Sequence, residues 1–458
     1  MRAFVIGAIT SSAFLFASCN GSNSKAPTAP LEEDQSGSSP GVVDDVKSPP
    51  NPTPSGSDLP VDDTTTPTPD PGDSPVDDGP GQTDPVAGFP DQPIDDGLVL
   101  PEPVPNLVEL PAPWGANQPL VGSLLDLETF PRSRIVSGGP GKDGIPALTN
   151  PRFVSPSEVS YLAADDLVLG LVINGEARAY PHNIGWWHEI VNDQIGGKSV
   201  CVTFCPLTGT GLVFDGEGES GRQFELGVSG LLYNNNLIMY DRRDGETLYP
   251  QIYFTGVEGP RTGQSLSLMP VVETTWATWT RLHPDTRVIQ GGTYSTSRYT
   301  SYPYGSYRTN DDYILFGLNP PPGSNLNPQA TTYGAKDGML GVRLNGEPMA
   351  YPFEAMGAQA VINHQVGGVD IAVVWDRDSY LAIPYARQVN GQSLTFDIEP
   401  SSGFPFNLRD RETGTLWDIN GKAIEGELAG VALKQVPAHN SFWFAWVTFW
   451  QETGVWQP

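Results

Sequence analysis

Val168-Leu169-Gly170-Leu171-Val172-Ile173-Asn174-Gly175-Glu176-Ala177-Arg178-Ala179-Tyr180-Pro181 is a pair of short runs with strand character joined by Asn-Gly. Asn and Gly accept the positive φ angles of a type I′ turn, so the stretch predicts a tight β-hairpin. Gly341 to Tyr351 repeats it: Asn345-Gly346-Glu347 and Ala350-Tyr351-Pro352 lie 171 residues beyond Asn174-Gly175-Glu176 and Ala179-Tyr180-Pro181. Working outward, Asn192 and Gly196-Gly197 match Asn363 and Gly367-Gly368 at the same spacing. Glu258-Gly259, Gly263, Pro270, Trp276 and Trp279 then match Glu425-Gly426, Gly430, Pro437, Trp443 and Trp446 at a spacing of 167. The expected fold is α+β and β-rich, with two tandem copies of one β-dominated module.

Other elements follow from local pattern. Val200, Val202 and Phe204 alternate with Cys201, Thr203 and Cys205, which predicts a strand with both sulfurs on one face. Gly211 to Phe214, Phe224 to Val228, Leu237 to Tyr240 and Ser265 to Met269 read as further strands between Gly, Asn and Asp turns. Trp276 to Leu282 predicts a helix that stops before His283-Pro284. The Trp-x-x-Trp pairs Trp276/Trp279 and Trp443/Trp446 share a helical face and read as core anchors. His182 to Val191 fits a short helix or a loop, and the Ala-rich counterpart Phe353 to Ile362 favours helix. Asp241-Arg242-Arg243 and Arg409-Asp410-Arg411 fit buried ion pairs between strands.

The expected boundaries are a signal peptide at 1–18, an acidic tether at 19–113, a lead-in at 114–165, a first module at 166–293, a connection at 294–335 and a second module at 336–458. Met1-Arg2 and the apolar run Ala3 to Ala17 have the charged start and short core of an export signal. Phe16-Ala17-Ser18-Cys19 resembles a lipoprotein cleavage box, so lipid on Cys19 and anchorage to a membrane of the bacterial cell envelope are expected. From Asn20 to about Trp114 the chain is Pro, Ser, Thr, Gly and Asp, with 18 acidic residues against Lys25 and Lys47. Such composition buries too little apolar surface to repay ordering, which predicts a disordered, semi-extended tether. The formal net charge of −28 and the lack of any basic stripe argue against nucleic acid as a partner. The Tyr- and Pro-rich connection reads as ordered, lying on both modules, because its aromatics are costly to expose.

The copies differ in reactive residues. His182, His188, Glu189, Asp193, Cys201 and Cys205 stand where the second copy has Phe353, Gln359, Ala360, His364, Ala372 and Asp376. A disulfide between Cys201 and Cys205 is opposed by geometry, since residues four apart on a strand lie ~13 Å apart, beyond the ~7 Å reach of a bridge. Cys205, His188 and His182 make a soft thiolate and imidazole set suited to copper or zinc, with Glu189 or Asp193 orienting an imidazole. The same residues suit covalent catalysis, with Cys205 as nucleophile, His188 as base and Asp193 or Glu189 fixing the ring, and with N–H groups from Thr208 to Gly211 for an oxyanion. A third reading is a scaffold in which Cys205 is inert.

Two stretches carry a family resemblance: Ala179-Tyr180-Pro181 through His188-Glu189-Ile190-Val191-Asn192-Asp193 to Gly196-Gly197, and Val202-Thr203-Phe204-Cys205-Pro206-Leu207-Thr208-Gly209. With Met239-Tyr240-Asp241-Arg242 and the Thr275-Trp276 segment, they resemble the bacterial family known as domain of unknown function 3179. Asp410 to Trp417 resembles another stretch of it. The resemblance implies export and a β-rich domain, without an assigned activity. Many members have a second Cys where this chain has Thr208, so a Cys-x-x-Cys redox pair or clamp is absent here.

Overall fold

A computed structural model describes Leu127 and residues 130–458, apart from 218–223 and 244–245. The expected signal peptide, Cys19 and the tether lie outside the described residues. Among the described residues, strands and turns dominate, with three α-helices of seven residues each: His182–His188, Trp276–Leu282 and Trp443–Phe449. None of the described helices is long and apolar enough to cross a membrane.

The hairpins form where Asn-Gly places them. Leu167–Ile173 pairs antiparallel with Glu176–Pro181, Leu169 facing Tyr180; Gly338–Leu344 pairs with Glu347–Pro352, Leu340 facing Tyr351. Asn174 and Gly175 take φ of 49° and 81°, and Asn345 and Gly346 take 47° and 85°, the left-handed pair that a type I′ turn requires. Turn residues also tie each hairpin to its neighbour. Asn174 Nδ2 donates to Gly196 O and Gly196 N donates to Glu176 Oε2, both at 2.8 Å. Asn345 and Glu347 hold Gly367 in the same way at 2.7 and 2.9 Å. A Cβ at Gly196 or Gly367 would lie about 2 Å from the carbonyl oxygen of Ile173 or Leu344.

The tryptophans also behave as anchors. Trp279 packs on Gly170 so closely that a Cβ there would lie 2.2 Å from the indole, and Trp446 sits on Gly341 with a corresponding 2.1 Å. Their Nε1 atoms donate to Thr286 and Thr453 Oγ1, each at 2.8 Å. Each indole thus buries its apolar body while satisfying its one donor.

In the N-terminal half, the hairpin sheet is joined by a sheet ordered Leu268–Met269, Thr210–Asp215, Lys198–Cys205, Ile190–Ile195, Leu148–Thr149, and by one containing Leu226–Tyr233, Asn236–Asp241 and Leu248–Pro250. The C-terminal half has Lys434–Gln435, Leu381–Ala386, Val369–Asp376 and Gln359–Val366 in one sheet, and Phe396–Glu399, Asn407–Asp410, Leu416–Trp417 and Ala423–Glu425 in another. Asn192 Nδ2 donates to Leu226 O and its Oδ1 accepts from Leu226 N; Asn363 does the same with Phe396, all four bonds at 2.9 Å.

Two expectations need correction. Phe353 to Ile362 is not a helix: Gly357 at φ 72° breaks the backbone, and Gln359–Val366 is drawn into full pairing with Val369–Asp376. The arginines of Asp241-Arg242-Arg243 and Arg409-Asp410-Arg411 are not in buried pairs; Arg411 meets Asp397 where both side chains are more than half exposed, and Arg242 pairs with Asp143 and Glu225 at a partly exposed edge.

The halves meet through matched contacts. Thr275 N donates to Ser379 O at 3.1 Å, and Phe442 N donates to Thr208 O at 2.9 Å. The two donors are 167 residues apart and the two acceptors 171. The connection touches both halves: Asn235 Nδ2 donates to Phe316 O, and Trp443 Nε1 to Gln329 O.

Candidate functional site

Cys201 and Cys205 lie on the strand Lys198–Cys205, free and about 1 % exposed. Cys201 Sγ donates to Asn192 Oδ1 at 3.3 Å. Cys205 Sγ donates to Asn235 O at 3.6 Å and accepts from Leu237 N at 3.4 Å. Burial pushes the Cys201 thiol up to about 12, and burial with the nearby Glu189 carboxyl pushes Cys205 up to about 11. Sulfurs held in the thiol form are weak nucleophiles and weak ligands.

His188 closes its helix with both nitrogens in use. The Tyr299 hydroxyl accepts from Gly292 N and Tyr294 N at 2.9 and 3.1 Å. Its proton therefore points to His188 Nε2, 2.9 Å away, which leaves Nδ1 as the N–H that donates to Pro146 O at 2.7 Å. Burial lowers the pKa of this ring, in keeping with a neutral imidazole that splints two loops. Asp193 accepts from Arg178 and from the Tyr180 hydroxyl, not from an imidazole. The expected constellation of Cys205, His188 and Asp193 is thus not assembled, because each member is hydrogen-bonded elsewhere. Nor do Cys205, His188 and His182 converge: among the described residues no group of three or more His, Cys, Asp or Glu is placed to hold a metal ion. The Thr208 carbonyl is taken by Phe442, and its hydroxyl lies 2.8 Å from Thr210 Oγ1.

His182 is different. It starts its helix at the junction of the halves and lines a cavity of about 440 Å³. Trp186, Phe204, Tyr302, Phe353, Tyr380 and Phe442 bring aromatic rings to its wall, and Arg308 and Lys336 bring positive charge. The His182 ring lies on Phe204 with centroids 4.1 Å apart. Its Nε2 is 3.7 Å from Glu273 Oε1, too far for a hydrogen bond. His182 Nε2 is buried without a partner among the described residues; Glu273 Oε2 and Asn440 Nδ2 are buried too, their side chains close enough to interact but not in good hydrogen-bond geometry. Buried polar atoms are almost always satisfied, so such a group calls for a water or a ligand. Burial drives His182 down to about 3, helped by Arg308, and Glu273 up to about 8, with Asn440 pulling the other way. Near neutral pH the resting pair is therefore a neutral imidazole beside a protonated carboxyl.

Positions 171 apart meet across this cavity: Leu167 and Gly338, His182 and Phe353, Gly209 and Tyr380 all line it. Glu273 and Asn440 stand at the 167 spacing on the strands Val272–Thr275 and Ala438–Phe442. Of the polar residues at the cavity, only His182 was legible in the sequence as a candidate; Glu273, Arg308 and Lys336 were not. Glu273 carried a signal, an acid inside Val272-Glu273-Thr274-Thr275 standing 167 residues before the amide Asn440; Arg308 and Lys336 come from the connection and its end, outside the recurring motifs.

Residues 142–453 match the family described as Protein of unknown function (DUF3179). The chain belongs to that family. Comparison with curated proteins and with solved structures returned no match. In this DUF3179 protein the matched span includes every cavity residue named above.

Proposed function

We propose that the chain is a small-molecule-binding protein of the bacterial cell envelope, exported and tethered through lipid on Cys19, whose ligand occupies the cavity between two copies of one module. The observation that carries this reading is the convergence of two buried polar groups, His182 and Glu273, whose Nε2 and Oε2 atoms have no hydrogen-bond partner among the described residues, at a cavity rich in aromatic side chains. The volume lies in the ~300–1,000 Å³ range of ligand pockets, and a mostly apolar wall with a few convergent polar groups is their usual composition. Duplication is supported by the constant spacings, the matched hairpin registers and the reciprocal hydrogen bonds at the junction. It also explains the asymmetry of the site. The first copy keeps an imidazole and a carboxyl, while the second offers Phe353 and Asn440 as wall and amide donor.

The test borrows the second copy's residues. His182→Phe with Glu273→Asn places at each position the residue its counterpart carries, so the variant is expected to stay folded. A panel of small aromatic and aliphatic acids, amides and amines is screened by ligand-observed NMR. Hits on the wild type should lose about ten-fold or more in affinity in the double variant, the equivalent of about 1.4 kcal/mol. Unchanged affinity for every hit, or no hit from any class, sinks the reading. Export is checked separately: Cys19→Ser should leave the protein in the soluble fraction of its own cells.

A further inference from the structure

The cavity carries a charge signature that names a ligand class. Arg308 is exposed at the cavity and has no hydrogen-bond or ion-pair partner among the described residues. Its guanidinium lies over the rings of Tyr302 and Trp186, 4.8 and 5.3 Å from their centroids. Those two rings meet edge to face at 5.2 Å, so the platform beneath the cation is itself held. A stacked guanidinium keeps its in-plane N–H fork free, and that fork matches a carboxylate.

Lys336 adds to the same field from within the wall. Its Nζ donates to Tyr313 O at 2.7 Å and Asn310 O at 3.2 Å and lies 3.9 Å from the Tyr307 ring centroid. Asp337, the carboxylate on this wall, accepts from Gly334 N at 2.8 Å. Glu273 contributes little negative charge while it holds its proton. The lining thus sets two cations against Asp337, with Asp311 held behind Lys336, in a chain of formal charge −28. Aromatic boxes often serve cations, but here Arg308 already lies against two wall rings and Lys336 lines the same cavity, so a cationic guest meets repulsion.

We propose that the ligand is a small organic monoanion, a carboxylic acid with an apolar or aromatic body, whose carboxylate docks on the Arg308 fork while its body enters between the wall rings. The proposal rests on the cavity being the functional site and adds the sign of the ligand's charge and the residue that reads it. Arg308 acts as a specificity determinant, and the floor of His182 and Glu273 receives the far end of the body or a water bound there.

Isothermal titration of the full chain with benzoate, benzamide and benzylamine separates the possibilities, since the three share a ring and differ in charge. Benzoate is expected to bind at least ~10-fold more tightly than benzamide, the ~1.4 kcal/mol scale of a modest charge-assisted contact. Benzylamine should not bind. Raising salt from ~0.05 to ~0.5 M should weaken benzoate alone, because the Arg308 rim is open to screening. Arg308→Leu should bring benzoate down to the level of benzamide, and Arg308→Lys should restore part of the gap. Equal binding of benzamide and benzoate, or preference for benzylamine, overturns the anion assignment while leaving the cavity as a binding site. An advantage of benzoate that survives Arg308→Leu overturns the role of Arg308. If none of the three binds the wild type, the assignment falls, and the broader panel decides separately whether the cavity reading falls with it.

Discussion

Asn192 and Asn363 hold equivalent backbone groups with four bonds of equal length, whereas His182 and Phe353, at the same spacing, face one cavity with an imidazole and a phenyl ring. Asp193 and His364 make the same point more gently. Both take the hydroxyl of the facing tyrosine at 2.7 Å, one as a carboxylate and one through a ring nitrogen. The N-terminal and C-terminal halves thus agree where a residue sets the backbone and differ where it faces the junction. Positions that close a turn or pin a sheet have few physical solutions. Positions that line a shared cavity need only fill it, and one half is free to supply the chemistry while the other supplies the wall.

The strongest way to break this comparison is through the anchors. Trp279→Ala and Trp446→Ala each empty a buried ring site over a glycine, and each is expected to cost about 3–5 kcal/mol in denaturant unfolding. A difference between them much larger than the spread of such sites would mean that the two indoles do different jobs. Gly170→Ala and Gly341→Ala should follow at about 1–3 kcal/mol, by overpacking against the same rings.

pH sharpens the contrast at the next scale. Burial raises Glu189 and Glu273 to about 8, and the C-terminal half has Ala360 and Asn440 there. A carboxyl whose folded pKa is raised contributes stability that is full below its unfolded pKa and is lost as pH rises through the folded value. Between about pH 5 and 8 these two groups should therefore make stability fall with rising pH, by up to ~1.4 kcal/mol per unit for each carboxyl. Glu189→Gln with Glu273→Asn should flatten that slope in urea titrations at several pH values. A slope unchanged in the double variant would show that these carboxyls ionise as freely in the native state as in the unfolded one.

The smallest expected effect is at the sulfurs. A thiol-specific reagent should leave Cys201 and Cys205 unmodified in the native protein over minutes and label both on unfolding, because burial holds them as thiols. Cys205→Ala should leave benzoate affinity within about two-fold of wild type, since the thiol bonds to Asn235 and Leu237, away from the cavity wall. Rapid native labelling of Cys205 would return the thiol to the list of reactive groups.

Sequence alone determined the β-rich class, the two Asn-Gly hairpins, the helix at Trp276 to Leu282, the strand that bears both cysteines, and the family. These are local matters: a positive φ, an alternation of two, a residue before proline. It did not determine which reactive residues share a site. Cys205, His188 and Asp193 lie within a short span of chain, yet the sheets hand them to three different sets of partners. His182 and Glu273, 91 residues apart in sequence, come within 3.7 Å, and Arg308, Phe353 and Tyr380 reach the same cavity from the connection and from the opposite half. Only packing decides that, because a hydrogen bond or a cavity wall depends on distances across sheets that no spacing along one strand encodes.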